Sequence, residues 1–113
     1  IGTSTERKNV ELAIRQHDLS QYFLGAACSE DVSKGKPDPE VFLQAAKILS
    51  IPPKDCVVFE DSPHGIEAAI RAGMKTVALN TTHPSTTFMH LNPDLQVASL
   101  ADLSVDQVEK LFS

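Results

Sequence analysis

Apolar and polar positions follow two rhythms along this chain, and the switch between them marks its elements. Cys56, Val57, Val58 and Phe59 form an unbroken apolar run of strand length, the kind covered on both faces in a parallel sheet. The run stops abruptly at Glu60 and Asp61. Ser62 and Pro63 then supply an N-cap and a first-turn proline, and Ile66, Ala69 and Ile70 recur at the spacing of one buried helical face. Gly73 ends that helix, and Thr76 to Leu79 reads as a second short strand. The stretch from Asp55 to Asn80 is therefore predicted to be a βαβ unit, with the right-handed crossover such units adopt.

The flanking segments carry the same alternation. Glu6 to His17 places Val10, Ala13 and Ile14 on one helical face, and Tyr22 to Cys28 reads as a short extended segment anchored by Phe23 and Leu24. Ser29 to Gly35 is a polar loop. Val41, Phe42, Ala45, Ile48 and Leu49 form the stripe of a second helix, which Ile51-Pro52-Pro53 ends. Thr81 to Asn92 reads as a long polar loop, Leu95 to Val97 as an edge strand, and Val105, Val108, Leu111 and Phe112 as one face of a terminal helix. Strands alternating with helices over 113 residues predict one α/β domain, an open, doubly wound and mostly parallel sheet with helices on both faces.

Composition narrows the partners. The net charge is -5, and no cluster of Lys and Arg offsets it, which argues against nucleic acid and anionic membranes. No apolar run approaches the ~20 residues that span a bilayer. Cys28 and Cys56 lie in apolar surroundings with no CxxC spacing, so both are expected to be free, buried thiols in a reducing, cytoplasmic setting. The chain opens on Ile1 just ahead of a helix, as if in the last residues of a strand, and the expectation is the later part of a longer protein.

Three places carry candidate chemistry. Thr3, Ser4 and Thr5 are consecutive hydroxyl residues at the start of the first helix, where backbone N–H groups and the helix dipole favour an anion. Plain N-capping is the commoner reason for such a run. Lys36 is held extended by Pro37, and Asp38-Pro39 repeats the cap-and-proline pattern of Ser62-Pro63 ahead of the second helix. Glu60 and Asp61 stand at the carboxyl end of a buried strand, where ligands of open α/β sheets bind. Adjacent carboxylates there suit a shared cation, and an oxygen-only donor set favours Mg²⁺ over Zn²⁺. The competing reading is that Glu60 caps or pairs locally while Asp61 opens the next helix. His83 and His90 fit no ligand spacing and are assigned to a solvated loop, and His17 to a helix end.

Taken together, IGTST, GKPDPEVF and VVFEDSPHGIEAA resemble the haloacid dehalogenase superfamily, in the branch of β-phosphoglucomutase and small sugar-phosphate phosphatases. The likeness runs from Ile1 to about Thr82, and the tail fits loosely. It implies a Rossmann-like core in which Thr3 holds the transferring phosphoryl group, with Ser4 and Thr5 as added donors. It makes Lys36 the lysine that neutralises phosphate and nucleophile, and Glu60 and Asp61 the magnesium-binding acids. The implied reaction is Mg²⁺-dependent phosphoryl transfer from a small phosphate ester such as a sugar phosphate, to water or another hydroxyl, through an aspartyl-phosphate.

One departure bears on activity. The family's aspartate pair at the end of its central strand has no counterpart here, and neither has its helical cap domain. Asp38-x-Glu40 is flanked by Pro37 and Pro39 with no apolar strand before it. Residues 1–113 would thus be the C-terminal portion of the core domain, without its first strand. Two alternatives are a non-catalytic remnant or fragment, and a receiver-type phospho-signalling module; the order of Lys36 before the acids tells against the receiver. Loss of the central strand would leave two half-sheets facing each other across a gap, filled by the missing strand or by another chain. The chain alone is expected to be inactive, and either molten or oligomeric.

Overall fold

In the computed structural model, which describes residues 1–113, the βαβ unit forms as the apolar spacing dictates. β1 (Val57–Glu60) runs parallel to β2 (Lys75–Leu79), with Val58 opposite Thr76 and Glu60 opposite Ala78. β3 (Leu95–Val97) joins β2, again parallel, so the sheet order is β1-β2-β3. Four helices accompany it: α1 (Arg7–Gln16), α2 (Glu40–Leu49), α3 (Pro63–Arg71) and the short α4 (Val105–Glu109). Near the amino end, a parallel bridge joins Gly2 to Ala27.

Local chemistry sets the limits of α3. Ser62 Oγ accepts a hydrogen bond from the Gly65 N–H at 3.1 Å, and Pro63 occupies the first turn. At the other end Gly73 turns the chain with φ of 78°, a conformation that favours glycine. The face of α3 turned to the sheet is nearly all alanine. Ala68, Ala69 and Ala72 pack with Val58, with Met74 and with Val41, Phe42 and Ala46 of α2 in the main core. Small side chains let helix and sheet approach closely, so little space is left unfilled.

Burial departs from expectation where elements meet solvent. Ile70 is exposed, and so are Ile48 and Leu49 at the far end of α2, where the buried stripe narrows to Val41, Phe42 and Ala46. In α1 Val10 alone is buried. The Tyr22 to Cys28 segment is no strand beyond the bridge at Ala27: Ser20–Tyr22 is a 3-10 turn, and Phe23 and Leu24 are exposed. The loop after β2 contains the 3-10 helix Ser85–Leu91, whose Phe88 is fully buried against Ile66 and Ala78. In the terminal helix Val105 and Phe112 are exposed. Cys28 is buried as expected, whereas Cys56 is half-buried.

The expected gap is present. Cys56 C=O accepts from Lys75 N–H, and alternate residues of a parallel strand bond to alternate sides, so Val57 and Phe59 turn their peptide groups away from β2. Ile1 C=O and Thr3 N–H both bond to Ala27, which turns the Gly2 peptide groups the other way. Between these two edges lies an apolar groove of about 410 Å³, with Ile1 and Gly2 on one side, Val57 and Phe59 on the other, and Phe42 and Leu49 along it. Phe59, expected to be covered on both faces of the sheet, is 41% exposed beside it.

Candidate active site

The carboxyl end of β1 gathers the charged groups. Lys36 Nζ donates to Glu60 Oε2 at 2.9 Å, and both side chains are largely withdrawn from solvent, with 14% and 11% exposure. The same ammonium sits 4.9 Å above the centre of the Phe42 ring, a cation–π contact from the first turn of α2. Glu60 Oε1 accepts from Asp61 N–H, Ser62 N–H and Ser62 Oγ. The strand therefore ends in a carboxylate folded back over the start of α3. That fold has a steric condition: a Cβ on Gly65 would stand 2.1 Å from Glu60 Cδ.

Asp61 faces outward. Its Oδ2 accepts from Thr82 Oγ1 at 2.9 Å, and no other residue's hydroxyl or N–H donates to it. Hydrogen bonding shared with the adjacent Glu60 carboxyl, then donation from Thr82, holds the Asp61 carboxyl below its ordinary range, against a smaller desolvation cost. It is thus an ionised, solvent-exposed carboxylate.

Lys36 owes its place to the turn around it. The Lys36–Pro37 peptide is cis. Asp38 N–H bonds back to Gly35 C=O, and Asp38 Oδ1 accepts from Glu40 N–H at 3.0 Å, so Asp38 tethers the start of α2 from one residue before its N-cap, which is Pro39 rather than the expected Asp38. Asp38 and Glu40 are both engaged in this turn and in the loop before it, which agrees with excluding them as a nucleophile pair.

Thr3 shares no hydrogen bond with the acids. Thr3 Oγ1 accepts from Thr5 N–H at 3.2 Å, and no hydrogen bond or ion pair joins Thr3, Ser4 or Thr5 to Lys36, Glu60 or Asp61. The two groups share a neighbour in Phe42: a Cβ on Gly2, the residue before Thr3, would meet its ring at 2.9 Å, and the ring carries Lys36 on its face. Gly2 is needed where that ring closes on the backbone. The hydroxyls do not cap α1 either. Its N-cap is Glu6, and Arg7 N–H donates to both oxygens of Glu30 at 2.9 and 3.1 Å. The anion seat expected at this helix start is thus filled by the protein's own carboxylate.

Of the two acids expected to hold a metal, Glu60 has both oxygens engaged by Lys36, Asp61 and Ser62. Asp61 remains as a hard-oxygen ligand, which suits Mg²⁺ in kind. No group of three or more acidic, histidine or cysteine side chains converges in the chain, so these residues fit the ion only in part. Sequence reasoning missed Thr82, Phe42 and Gly65. Thr82 lies three residues past the end of the strand that neighbours β1, and the parallel register is what brings it to Asp61. Of the histidines set aside, His83 is half-buried, edge-on to Phe88 with ring centres 6.2 Å apart.

The family profile described as haloacid dehalogenase-like hydrolase matches residues 1–79. A 5-amino-6-(5-phospho-D-ribitylamino)uracil phosphatase of Arabidopsis thaliana is 39% identical over 106 residues, 93% of this chain and 28% of its own. The β-phosphoglucomutase of Bacillus subtilis is 33% identical over 106 residues, 94% of this chain and 45% of its own. Among solved structures, β-phosphoglucomutase from Clostridium difficile superposes with a TM-score of 0.82 at 27% identity, over 93% of this chain and 45% of that one. The chain spans less than half the length of these relatives.

Proposed function

Since the chain belongs to the haloacid dehalogenase-like hydrolase family, in its phosphoglucomutase-like branch, we propose that it forms the phosphate-holding side of a site that transfers a phosphoryl group from a small phosphate ester, such as a sugar phosphate. The observation that carries this reading is the Lys36–Glu60 pair beside an outward-facing Asp61 at one strand end. An ammonium has three N–H donors, and Glu60 takes one. The others are free to bind phosphoryl oxygens as negative charge shifts among them, in a setting that Phe42 keeps partly dry. Thr3, whose neighbour Gly2 packs on the ring that carries Lys36, would orient one of those oxygens. Asp61 would hold Mg²⁺, which when bound offsets phosphoryl charge. In this reading Glu60 aims Lys36 and, through the second lone pair of Oε2, would stand as the other metal ligand beside Asp61.

An aspartyl-phosphate needs a nucleophilic aspartate besides Asp61, which this reading gives to the metal, and no second aspartate of these 113 residues stands at the carboxyl end of a strand. The reading assigns that aspartate to chain outside them. A non-catalytic remnant is the second reading, favoured by the same lack. Phosphate release from small sugar phosphates, with and without Mg²⁺, separates the two. In a protein joining these residues to a strand-end aspartate, Asp61→Asn and Lys36→Ala should each lower kcat/KM by roughly a hundredfold or more, as loss of a charge-stabilising group does. Full Mg²⁺-dependent turnover in Asp61→Asn would end the proposal. The 113 residues alone should show none.

A further inference from the structure

Lys36 is reached from a loop, and loops rarely hold a side chain within a fraction of an ångström. Here the loop is clasped. Glu40, the first residue of α2, turns back: its Oε1 accepts from Ser33 N–H at 3.0 Å, and its Oε2 accepts from Ser33 Oγ and Lys34 N–H, both at 3.1 Å. The chain from Ser33 to Glu40 is thereby closed into a ring with Lys36 at its turn. The Ser33 amide is foremost in holding the Glu40 carboxyl below its ordinary range, so the clasp is ionised at neutral pH. Charge-assisted bonds to an ionised acceptor are the stronger kind. The second fixed point is the helix itself, because Phe42, two residues further along α2, carries the Lys36 ammonium on its ring. Loop and ring are therefore registered on the same turn of helix.

We propose that Glu40 is the positioning residue of Lys36: it ties the loop before the lysine to the helix after it and so presents the ammonium, already placed, to a phosphoryl group. The second half of this statement rests on the function proposed above; the first does not.

The test is selective amine labelling of the full chain, read lysine by lysine by mass spectrometry. In the wild type Lys36 should label slowly beside the exposed Lys47 and Lys54. Glu40→Gln keeps one acceptor oxygen but cannot accept on both sides, and Lys36 labelling should rise roughly tenfold, the opening expected for loss of about one charge-assisted hydrogen bond. Ser33→Ala removes the hydroxyl donation alone and should give a smaller rise without threatening the fold. Lys47, on the same helix, should not change in either variant. A uniform rise at all lysines, or an unchanged Lys36 in both variants, would overturn the clasp. Inorganic phosphate added to the wild type should slow Lys36 labelling further. If it does not while the variants behave as stated, the phosphate reading fails and the clasp stands.

Discussion

At the scale of single residues the site depends on two glycines that make room. Glu60 can fold back onto Lys36 only because position 65 lacks a Cβ; one placed there would lie 2.1 Å from the carboxylate carbon and 2.2 Å from Oε2, contacts that only a swing of the Glu60 side chain away from its seat would relieve. Gly65→Ala must therefore displace Glu60 and part it from Lys36. Parting a largely buried ion pair leaves both charges desolvated and typically costs about 3–5 kcal/mol. Urea unfolding should show a loss of roughly 3 kcal/mol in this variant, while Gly35→Ala, where a Cβ meets nothing within 4 Å, should change little. Equal, small losses at both positions would mean that Glu60 has another seat. Nothing in the local sequence around this glycine marks the carboxylate it accommodates.

Elements in this protein are tied together by carboxylates at helix starts. Glu30 receives the first N–H of α1, Asp31 receives Cys28 N–H and pairs with Arg7, and Glu40 receives Ser33 and Lys34. All three carboxyls lie below their ordinary range, in each case first because a backbone N–H donates to them: from Arg7 to Glu30, from Cys28 to Asp31, from Ser33 to Glu40. The folded state thus binds protons less readily than the unfolded chain. Their contribution is fully present above the unfolded carboxyl range and is lost as pH falls through the lower folded values. Thermal melts should hold steady from neutrality to about pH 5 and then drop progressively toward pH 2. Replacing Glu40 by Gln should lower the neutral melting temperature and flatten part of that acid slope. An unaltered slope in Glu30→Gln and Glu40→Gln alike would show that these ties do not report on folding.

For the whole molecule the governing feature is the open edge of β1. Val57 and Phe59 present unpaired peptide groups along a groove lined by apolar side chains, and an exposed apolar edge invites another strand. The isolated chain should therefore associate as its concentration rises, which sedimentation velocity would measure. Phe59→Lys, with its side chain already 41% exposed, places a charge on that edge and should shift the chain toward monomer with little change in folding. A wild-type chain that stays monomeric and melts sharply across a wide concentration range would show that the edge is closed in solution by other means.

What the sequence alone determined was whatever depends on neighbours along the chain. The βαβ unit, the Ser62 cap, the turn at Gly73 and the third strand at Leu95 were legible, because periodicity, capping and turn chemistry act over a few residues. The residues that make the strand end were legible as types: a proline-set lysine and an acidic pair. Which partner each acid takes was decided by tertiary structure, since only the parallel register brings Thr82 to Asp61 and only the packing of α2 carries Lys36 to Glu60, 24 residues away. The same holds for Phe88, buried from a stretch that reads as polar loop, and for the α1 start, where a carboxylate from Glu30 takes the place the local hydroxyls suggested for themselves. Burial and charge pairing are set by residues distant in sequence, and a local pattern carries no record of them.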